Sequence, residues 1–157
     1  MRISEQFILI PILEALDTQA GIDGQSVNMG LLHSICFPIN FGAVTGDAVL
    51  KFYVGATDGT KTTSIAFKTR LSSGVYKAAS ADLYGAVSAA TVAADGRTLT
   101  AATYANKTLL VEFDSQEIAA ATPWLTLELS AAATVLLTAC VAVGVPRYAS
   151  NAGTTAV

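Results

Sequence analysis

Hydrophobic and polar residues alternate along most of this chain, which is the pattern of β-strands that bury one face. Clusters of Gly, Asp, Asn and Ser separate the alternating stretches, and helical periodicity is largely missing. The clearest predicted strands are Leu32–Phe41, Ala48–Val54, Thr62–Lys68, Lys107–Asp114, Pro123–Leu129 and Val135–Val145. Many short strands with turn residues between them are typical of a β-sandwich or barrel.

The alternation also predicts which side chains of each strand face the core. The predicted core rows are Ile35, Phe37, Ile39 and Phe41; Ala48, Leu50, Phe52 and Val54; Ile65 and Phe67; Leu109, Val111 and Phe113; and Leu125, Leu127 and Leu129. In the last strand the row of Val135, Leu137, Ala139, Val141 and Val143 is predicted to be buried. This strand lies in the uncharged segment 130–145, which as a helix would span roughly 24 Å, too short for a membrane core of about 30 Å.

Turn and helix positions follow from local residue chemistry. The pairs Asp23-Gly24, Asp58-Gly59 and Asp95-Gly96 predict tight turns with positive φ at glycine. We expect a hairpin with a widened loop over Tyr53–Phe67. One or two helical turns are expected over Ser115–Ala121, capped by Asp114 or Ser115. Segment 72–105 is rich in Ala, Ser and Thr and predicts only short strands joined by loops.

The two ends of the chain differ from the middle. Residues 1–26 are apolar but interrupted by Pro11, and predict an N-terminal arm that contacts neighbouring subunits. Residues 27–149 form the predicted β-sandwich domain, and residues 150–157 a small, polar C-terminal tail. Neither end is expected to hold itself in place on an isolated domain. A signal peptide is not expected, because Glu5 lies in what would be its basic N-terminal region and Pro11 interrupts the apolar run that follows.

Composition points to assembly with other subunits. Hydrophobic residues make up 52% of the chain and charged residues 13%, about half the usual charged share. So little charge leaves apolar surface exposed, which favours burial against partner subunits. The net charge of −3 and the scattered Lys and Arg argue against nucleic acid binding. Cys36 and Cys140 lie in apolar runs and are predicted to be free thiols rather than a disulfide.

Residues that could carry chemistry are few. The one histidine, His33, is three positions from Cys36, which on a strand places the two on opposite faces, so a catalytic pair is not expected. One histidine and two distant cysteines do not make a zinc site. The loops Thr57–Thr60 and Thr45–Asp47 offer oxygen ligands without the spacing of a calcium loop. Turn chemistry explains both loops, and an ion at Asp58 stays an open alternative. We expect no enzymatic activity and no cofactor.

Four features, in this order, carry a resemblance to a known family. They are an apolar leader, Val27-Asn28-Met29-Gly30-Leu31-Leu32-His33 at the first long strand, Asn106-Lys107-Thr108-Leu109-Leu110-Val111-Glu112-Phe113-Asp114, and the ending Val145-Pro146-Arg147-Tyr148-Ala149. Together they resemble the small virion proteins of tailed bacteriophages, which include capsid decoration, or cement, proteins. The Ala-rich middle of the chain departs from this pattern.

The resemblance implies a jelly-roll-like β-sandwich with an extended N-terminal arm and at most one short helix. It implies a dimer or trimer that binds the major capsid protein on the capsid exterior, made in the bacterial host cytoplasm, with no catalytic residues, nucleic acid or membrane. The candidate interface residues are Phe7, Ile8, Leu9, Ile10, Leu13, Trp124 and Tyr148. Two alternatives remain. One is a tail or head-fibre subunit; the other is a carbohydrate-binding β-sandwich with a ring platform of Tyr53, Tyr76, Tyr84, Tyr104 and Trp124.

Overall fold

Two antiparallel β-sheets pack face to face in the computed structural model, which describes residues 6–132, 134–148 and 156–157. The strands are β1 Ile8–Asp17, β2 Ile22–Asp23, β3 Val27–Asn28, β4 Leu32–Val44, β5 Ala48–Gly55, β6 Thr63–Ile65, β7 Thr69–Leu71, β8 Arg97–Leu99, β9 Thr108–Asp114, β10 Trp124–Leu129 and β11 Leu136–Pro146. The short helix α1 spans Ala101–Tyr104, and 3-10 turns span Met29–Leu31 and Ser115–Glu117. The predicted all-β sandwich is confirmed.

The strand order is that of a jelly roll. The five-stranded sheet runs β1-β11-β4-β9-β7, so the first strand pairs with the last. The six-stranded sheet runs β2-β10-β5-β6, with β3 also on β10 and β8 also on β5. Successive pairs of strands are therefore nested inside one another across the two sheets, as in jelly-roll domains. This arrangement places β11 and β4 in the interior of one sheet, where each has a neighbour on both sides.

The core lies between the sheets and is built around four phenylalanines. The ring centroid of Phe52 lies 5.0 Å from that of Phe37, 5.1 Å from that of Phe67 and 4.9 Å from that of Phe113, all edge to face. Such contacts add to the stability gained from burying the rings themselves. The predicted inward rows of β4, β5, β9 and β10 are all buried, and this part of the prediction is confirmed.

The predicted inward row of β11 is wrong. Leu137 and Val141 are 40% and 47% exposed, whereas the alternate row of Leu136, Thr138, Cys140, Ala142 and Gly144 is buried. The physical reason is the limited space on the core side of β11, which is most evident at Gly144. A Cβ added at Gly144 would lie 3.1 Å from a methyl carbon of Leu32. The row with the smaller side chains therefore faces inward.

The predicted N-terminal arm is wrong for Ile8–Asp17, which form strand β1 of the sandwich. β1 pairs along its length with β11, and Ile10, Ile12 and Leu13 belong to the buried core. Pro11 fits because β1 is an edge strand, where a missing N–H is tolerated. Residues 1–5 lie outside the described part of the chain. The tail prediction is also corrected at Ala156, which is 2% exposed and whose carbonyl accepts a 2.7 Å hydrogen bond from the Asn28 N–H.

Local predictions were partly confirmed. β5 and β6 form the expected hairpin, and Gly59 and Gly96 have positive φ. Gly24 does not, and its role is close packing, since an added Cβ would lie 2.7 Å from Cγ2 of Ile12. The expected helix after β9 is a single 3-10 turn with Asp114 as its cap. Segment 72–105 contains only β8, α1 and one isolated bridge as regular structure among the described residues.

Candidate interaction surface

Side chains on the outer face of the five-stranded sheet line up in rows that cross the strands. In one row Leu9 on β1 lies beside Val143 on β11, which lies beside Cys36 on β4, which lies beside Glu112 on β9. Neighbouring strands of a sheet are about 4.8 Å apart, so each row brings its side chains into contact. The residues of such rows act as one continuous surface.

Most of this surface is apolar. Leu9, Leu137 and Val141 are 55%, 40% and 47% exposed and lie on two neighbouring strands. We define the apolar face as the outward-facing side chains Leu9, Pro11, Cys36, Pro38, Leu110, Leu137, Ala139, Val141, Val143 and Val145. Contiguous apolar surface of this kind marks an interaction site more often than scattered exposed residues do.

Charges border the apolar face but do not enter it. Glu112 and Asp114 lie along β9, and Arg70 of β7 lies opposite Leu110 of β9. Asp17 at the far end of β1 accepts hydrogen bonds from the backbone N–H groups of Gln19 and Leu136. An apolar centre with a polar rim is the usual anatomy of a protein interface.

The outer face of the six-stranded sheet has a different character. The ammonium group of Lys61 lies 2.8 Å from Asp23 and 2.5 Å from Glu128. Hydrogen bonds to Asp23 and then Glu128 raise the pKa of Lys61. The same ammonium lies 5.5 Å from the ring centroid of Tyr53. This face carries charged groups paired with one another, as expected of a surface that remains in water.

The predicted interface residues fall in different places. Leu9 belongs to the apolar face, and half-buried Phe7 lies at its edge. Tyr148, two residues beyond β11, is 65% exposed. Three of the remaining residues do not fit: Ile10 and Leu13 are buried in the core, and Ile8 is half-buried against it. Half-buried Trp124 lies on the other sheet, opposite Gly55 and Asn28.

The aromatic platform of the carbohydrate-binding alternative does not form. Tyr104 is 3% exposed, and its ring packs against Phe41. Tyr76 donates a hydrogen bond of 3.3 Å to Asn40 on the five-stranded sheet, whereas Tyr53 lies on the six-stranded sheet. The rings of Tyr104, Tyr76 and Tyr53 are therefore divided between the core and two separate sides of the molecule.

The thiols are poor nucleophiles. Burial, and secondarily the charge of Glu112, raises the pKa of Cys36 to about 11, and burial raises the pKa of Cys140 to about 12. Both thiols are therefore protonated near neutral pH, and the thiolate is the reactive form. His33 is exposed and lies where the pairing of β4 with β11 shifts register. Both cysteines are free, so the predicted absence of a disulfide is confirmed.

No group of three His, Cys, Asp or Glu side chains within residues 6–132, 134–148 and 156–157 is arranged to hold a metal ion. At the Asp58 turn, the Thr57 N–H donates to Oγ1 of Thr60, and the Gly59 N–H donates to Oγ of Ser26. No helix within the same ranges is long and apolar enough to cross a membrane.

Comparisons with protein-family models, curated proteins and solved structures found no match to this chain. The interpretation of the apolar face therefore depends on its own geometry and chemistry.

Sequence reasoning missed Leu137 and Val141 as surface residues, because the outward row of β11 was assigned to the core. A usable indication was present in the sequence. β11 reads Leu-Leu-Thr-Ala-Cys-Val-Ala-Val-Gly-Val-Pro, which is apolar in both of its alternate rows. Antiparallel strands with one face in water usually alternate apolar and polar residues, whereas continuous apolar runs are typical of strands covered on both faces.

Proposed function

We propose that this chain is a structural protein of a tailed-phage particle, a capsid decoration protein that binds the outside of the major capsid protein shell and stabilises it. The observation that carries this proposal is the apolar face, which covers four strands of the five-stranded sheet while the opposite sheet presents paired charges. One side of the sandwich is suited to a protein partner and the other to water.

The sequence of β11 supports a covered face. Its inward row fills the core, and its outward row of Leu137, Ala139, Val141, Val143 and Val145 is exposed or half-buried. A strand that is apolar on both sides is typical of a sheet covered on both sides. The second cover would come from another subunit of the assembly.

The dimensions of the face suit a protein partner. Four strands at about 4.8 Å each, with lengths of roughly 30 Å, give an area of about 600 Å². One side of a standard protein interface buries about 800 Å². The outline of the four strands is close to that size, and neighbouring exposed residues such as Tyr148 extend it.

The resemblance to small virion proteins adds the kind of assembly. It implies a homo-oligomer, a dimer or trimer, on the capsid exterior, with the major capsid protein as partner. The jelly roll alone does not decide this, because the same architecture serves unrelated functions. A tail or head-fibre subunit would use the same apolar face and would differ in position and copy number.

Shell binding by charge variants tests the proposal. Val141→Asp places a carboxylate in the centre of the apolar face, whereas Thr98→Asp places one on the exposed outer side of the six-stranded sheet. Under this proposal a tailed phage encodes the chain. Empty capsids of that phage would be incubated with each variant and then sedimented. We expect Val141→Asp to reduce capsid binding at least tenfold, because an unpaired charge would be buried, and Thr98→Asp to bind like the unmodified chain.

Two results would contradict the proposal. One is failure of the unmodified chain to bind capsids, and the other is equal capsid binding by both variants. Binding of the unmodified chain to isolated tails instead of capsids would favour the tail-subunit alternative. Circular dichroism of both variants would establish that each retains its β-sheet content.

A further inference from the structure

A groove of about 450 Å³ lies at one end of the apolar face. Cys36, Val143 and Val145 line its floor, and Phe7 lines it from the β1 side. These four side chains are half-buried, so the floor is accessible but recessed. The floor is therefore a partly exposed apolar surface at one side of the groove.

The other side of the groove is acidic. Glu112, Asp114 and Glu117 line it, and among its described lining residues there is no Lys, Arg or His. Two of these carboxylates are held in place by the capping box at the end of β9. Asp114 accepts a 2.9 Å hydrogen bond from the Gln116 N–H, and Glu117 accepts a 3.0 Å hydrogen bond from the Asp114 N–H.

Each fixed carboxylate keeps oxygen lone pairs free for a further donor. Glu112 lies directly opposite Cys36 on the neighbouring strand, so the acidic wall begins where the apolar floor ends. We propose that this groove binds an extended segment of a partner protein that carries an apolar side chain and a Lys or Arg two residues apart.

The spacing follows from the sheet. The floor residues of β11 lie two strands from β9, about 10 Å from the acidic wall. Residues two apart on an extended segment lie on the same side of it, about 7 Å apart. The methylene groups of the Lys or Arg side chain span the remaining distance to the acidic wall. The apolar side chain then contacts Val143 and Val145 while the cation reaches Glu112.

This inference rests on the proposed assembly role, because it names the chemistry of the partner segment that the apolar face would receive. The groove can nevertheless be tested without capsids. Cys36 reports occupancy, since it lies in the floor and is half-buried, whereas Cys140 is fully buried.

The probe is the peptide acetyl-Thr-Val-Thr-Lys-Thr-Lys-amide, and its control has Glu at both Lys positions. The rate of Cys36 modification by methyl methanethiosulfonate, which transfers a methylthio group to thiols and does not react with lysine amines, would be measured at pH 8.5 against peptide concentration. We expect the basic peptide to slow this modification in a saturable manner and the acidic peptide to have no effect at the same concentration.

Matched variants locate the contact. Glu112→Gln removes one charge of the wall, and Glu14→Gln removes an exposed charge outside the groove. Each variant is compared with its own rate without peptide, since Glu112 also affects the pKa of Cys36. Glu112→Gln should raise the concentration of basic peptide needed for half-protection about two- to fivefold, the usual range for one exposed ion pair. Glu14→Gln should leave this concentration unchanged.

Equal protection by both peptides, or equal effects of the two variants, would overturn the inference. Protection of Cys36 that rises with protein concentration alone would show that a second copy of this chain occupies the groove, and would also overturn it. Failure of capsid binding with intact peptide protection would reject the proposed function and leave the groove assignment standing.

Discussion

Leu9 and Ile10, neighbours on β1, point to opposite sides of the five-stranded sheet. Ile10 is 3% exposed and lies opposite Ala142 on β11, whereas Leu9 is 55% exposed and lies opposite Val143. One strand therefore contributes both to the core and to the apolar face, and adjacent substitutions separate these two roles.

Ile10→Ala should lower the free energy of unfolding by about 2–4 kcal/mol, because it leaves a cavity in the core. Leu9→Ala should change it by less than about 0.5 kcal/mol, because the side chain is already largely in water. Urea denaturation of the isolated chain measures both. Equal, small effects would mean that the leader is an arm outside the folded domain.

The hydroxyl groups of Ser26 and Thr126 form a second testable contact. Their oxygens are 2.6 Å apart, both residues are almost fully buried, and Ser26 also accepts a hydrogen bond from the Gly59 N–H. Ser26→Ala should destabilise the fold by about 1–3 kcal/mol, since the buried Thr126 hydroxyl and the part-buried Gly59 N–H both lose a hydrogen-bond partner. A double-mutant cycle with Thr126→Val should show a coupling energy of at least about 0.5 kcal/mol, and strict additivity would contradict the contact.

The centre of the phenylalanine cluster should be the most sensitive core position. Phe52 contacts Phe37, Phe67 and Phe113, and it is fully buried. Phe52→Ala should cost about 3–5 kcal/mol in urea denaturation. Val92→Ala is the control, because Val92 is 63% exposed, and it should cost less than about 0.5 kcal/mol. A cost below about 1 kcal/mol for Phe52→Ala would contradict this packing.

The raised thiol pKa values predict a dependence of stability on pH. In the folded chain the pKa is about 11 for Cys36 and about 12 for Cys140, against 9.0 for an unperturbed thiol. The folded state therefore holds these protons more tightly than the unfolded state does. Stability should be independent of the thiols below pH 9 and should fall between pH 9 and 12, by up to about 1.4 kcal/mol per pH unit for Cys140 and by less for half-buried Cys36, whose charge is partly screened by solvent.

The variant Cys36→Ala isolates one thiol from the tyrosines and lysines that titrate in the same range. Its stability should fall less steeply between pH 9 and 11 than that of the unmodified chain, as measured by urea denaturation at each pH. Parallel pH profiles for the two proteins would show that Cys36 ionises equally well in the folded and unfolded states.

The sequence predicts which face of a strand is buried only where the two alternate rows of side chains differ in size and polarity. In β4 and β5 the inward residues are large and apolar, such as Phe37 and Phe52, and sequence alternation identified them. In β11 both rows are apolar, and only the space left by neighbouring side chains, such as Leu32 beside Gly144, decides which row faces inward. Alternation alone contains no information about that space.

The candidate site was harder to predict than the core. The apolar face combines residues from β1, β11, β4 and β9, which are far apart in the sequence and adjacent only through the sheet order. Leu9 was identified because it lies in an apolar leader. Val141 and Pro38 were not, since their role depends on strand pairing and on which side of β11 faces water.

The central claim is that the apolar face is the surface by which this chain binds a capsid. Cryo-electron microscopy of the intact particle tests it most directly. We expect regular symmetric copies of the chain on the capsid exterior, with Leu9, Leu137 and Val141 against the major capsid protein and Thr98 in solvent. A reconstruction in which these three side chains face solvent, or in which the capsid carries no copy of the chain, would contradict it.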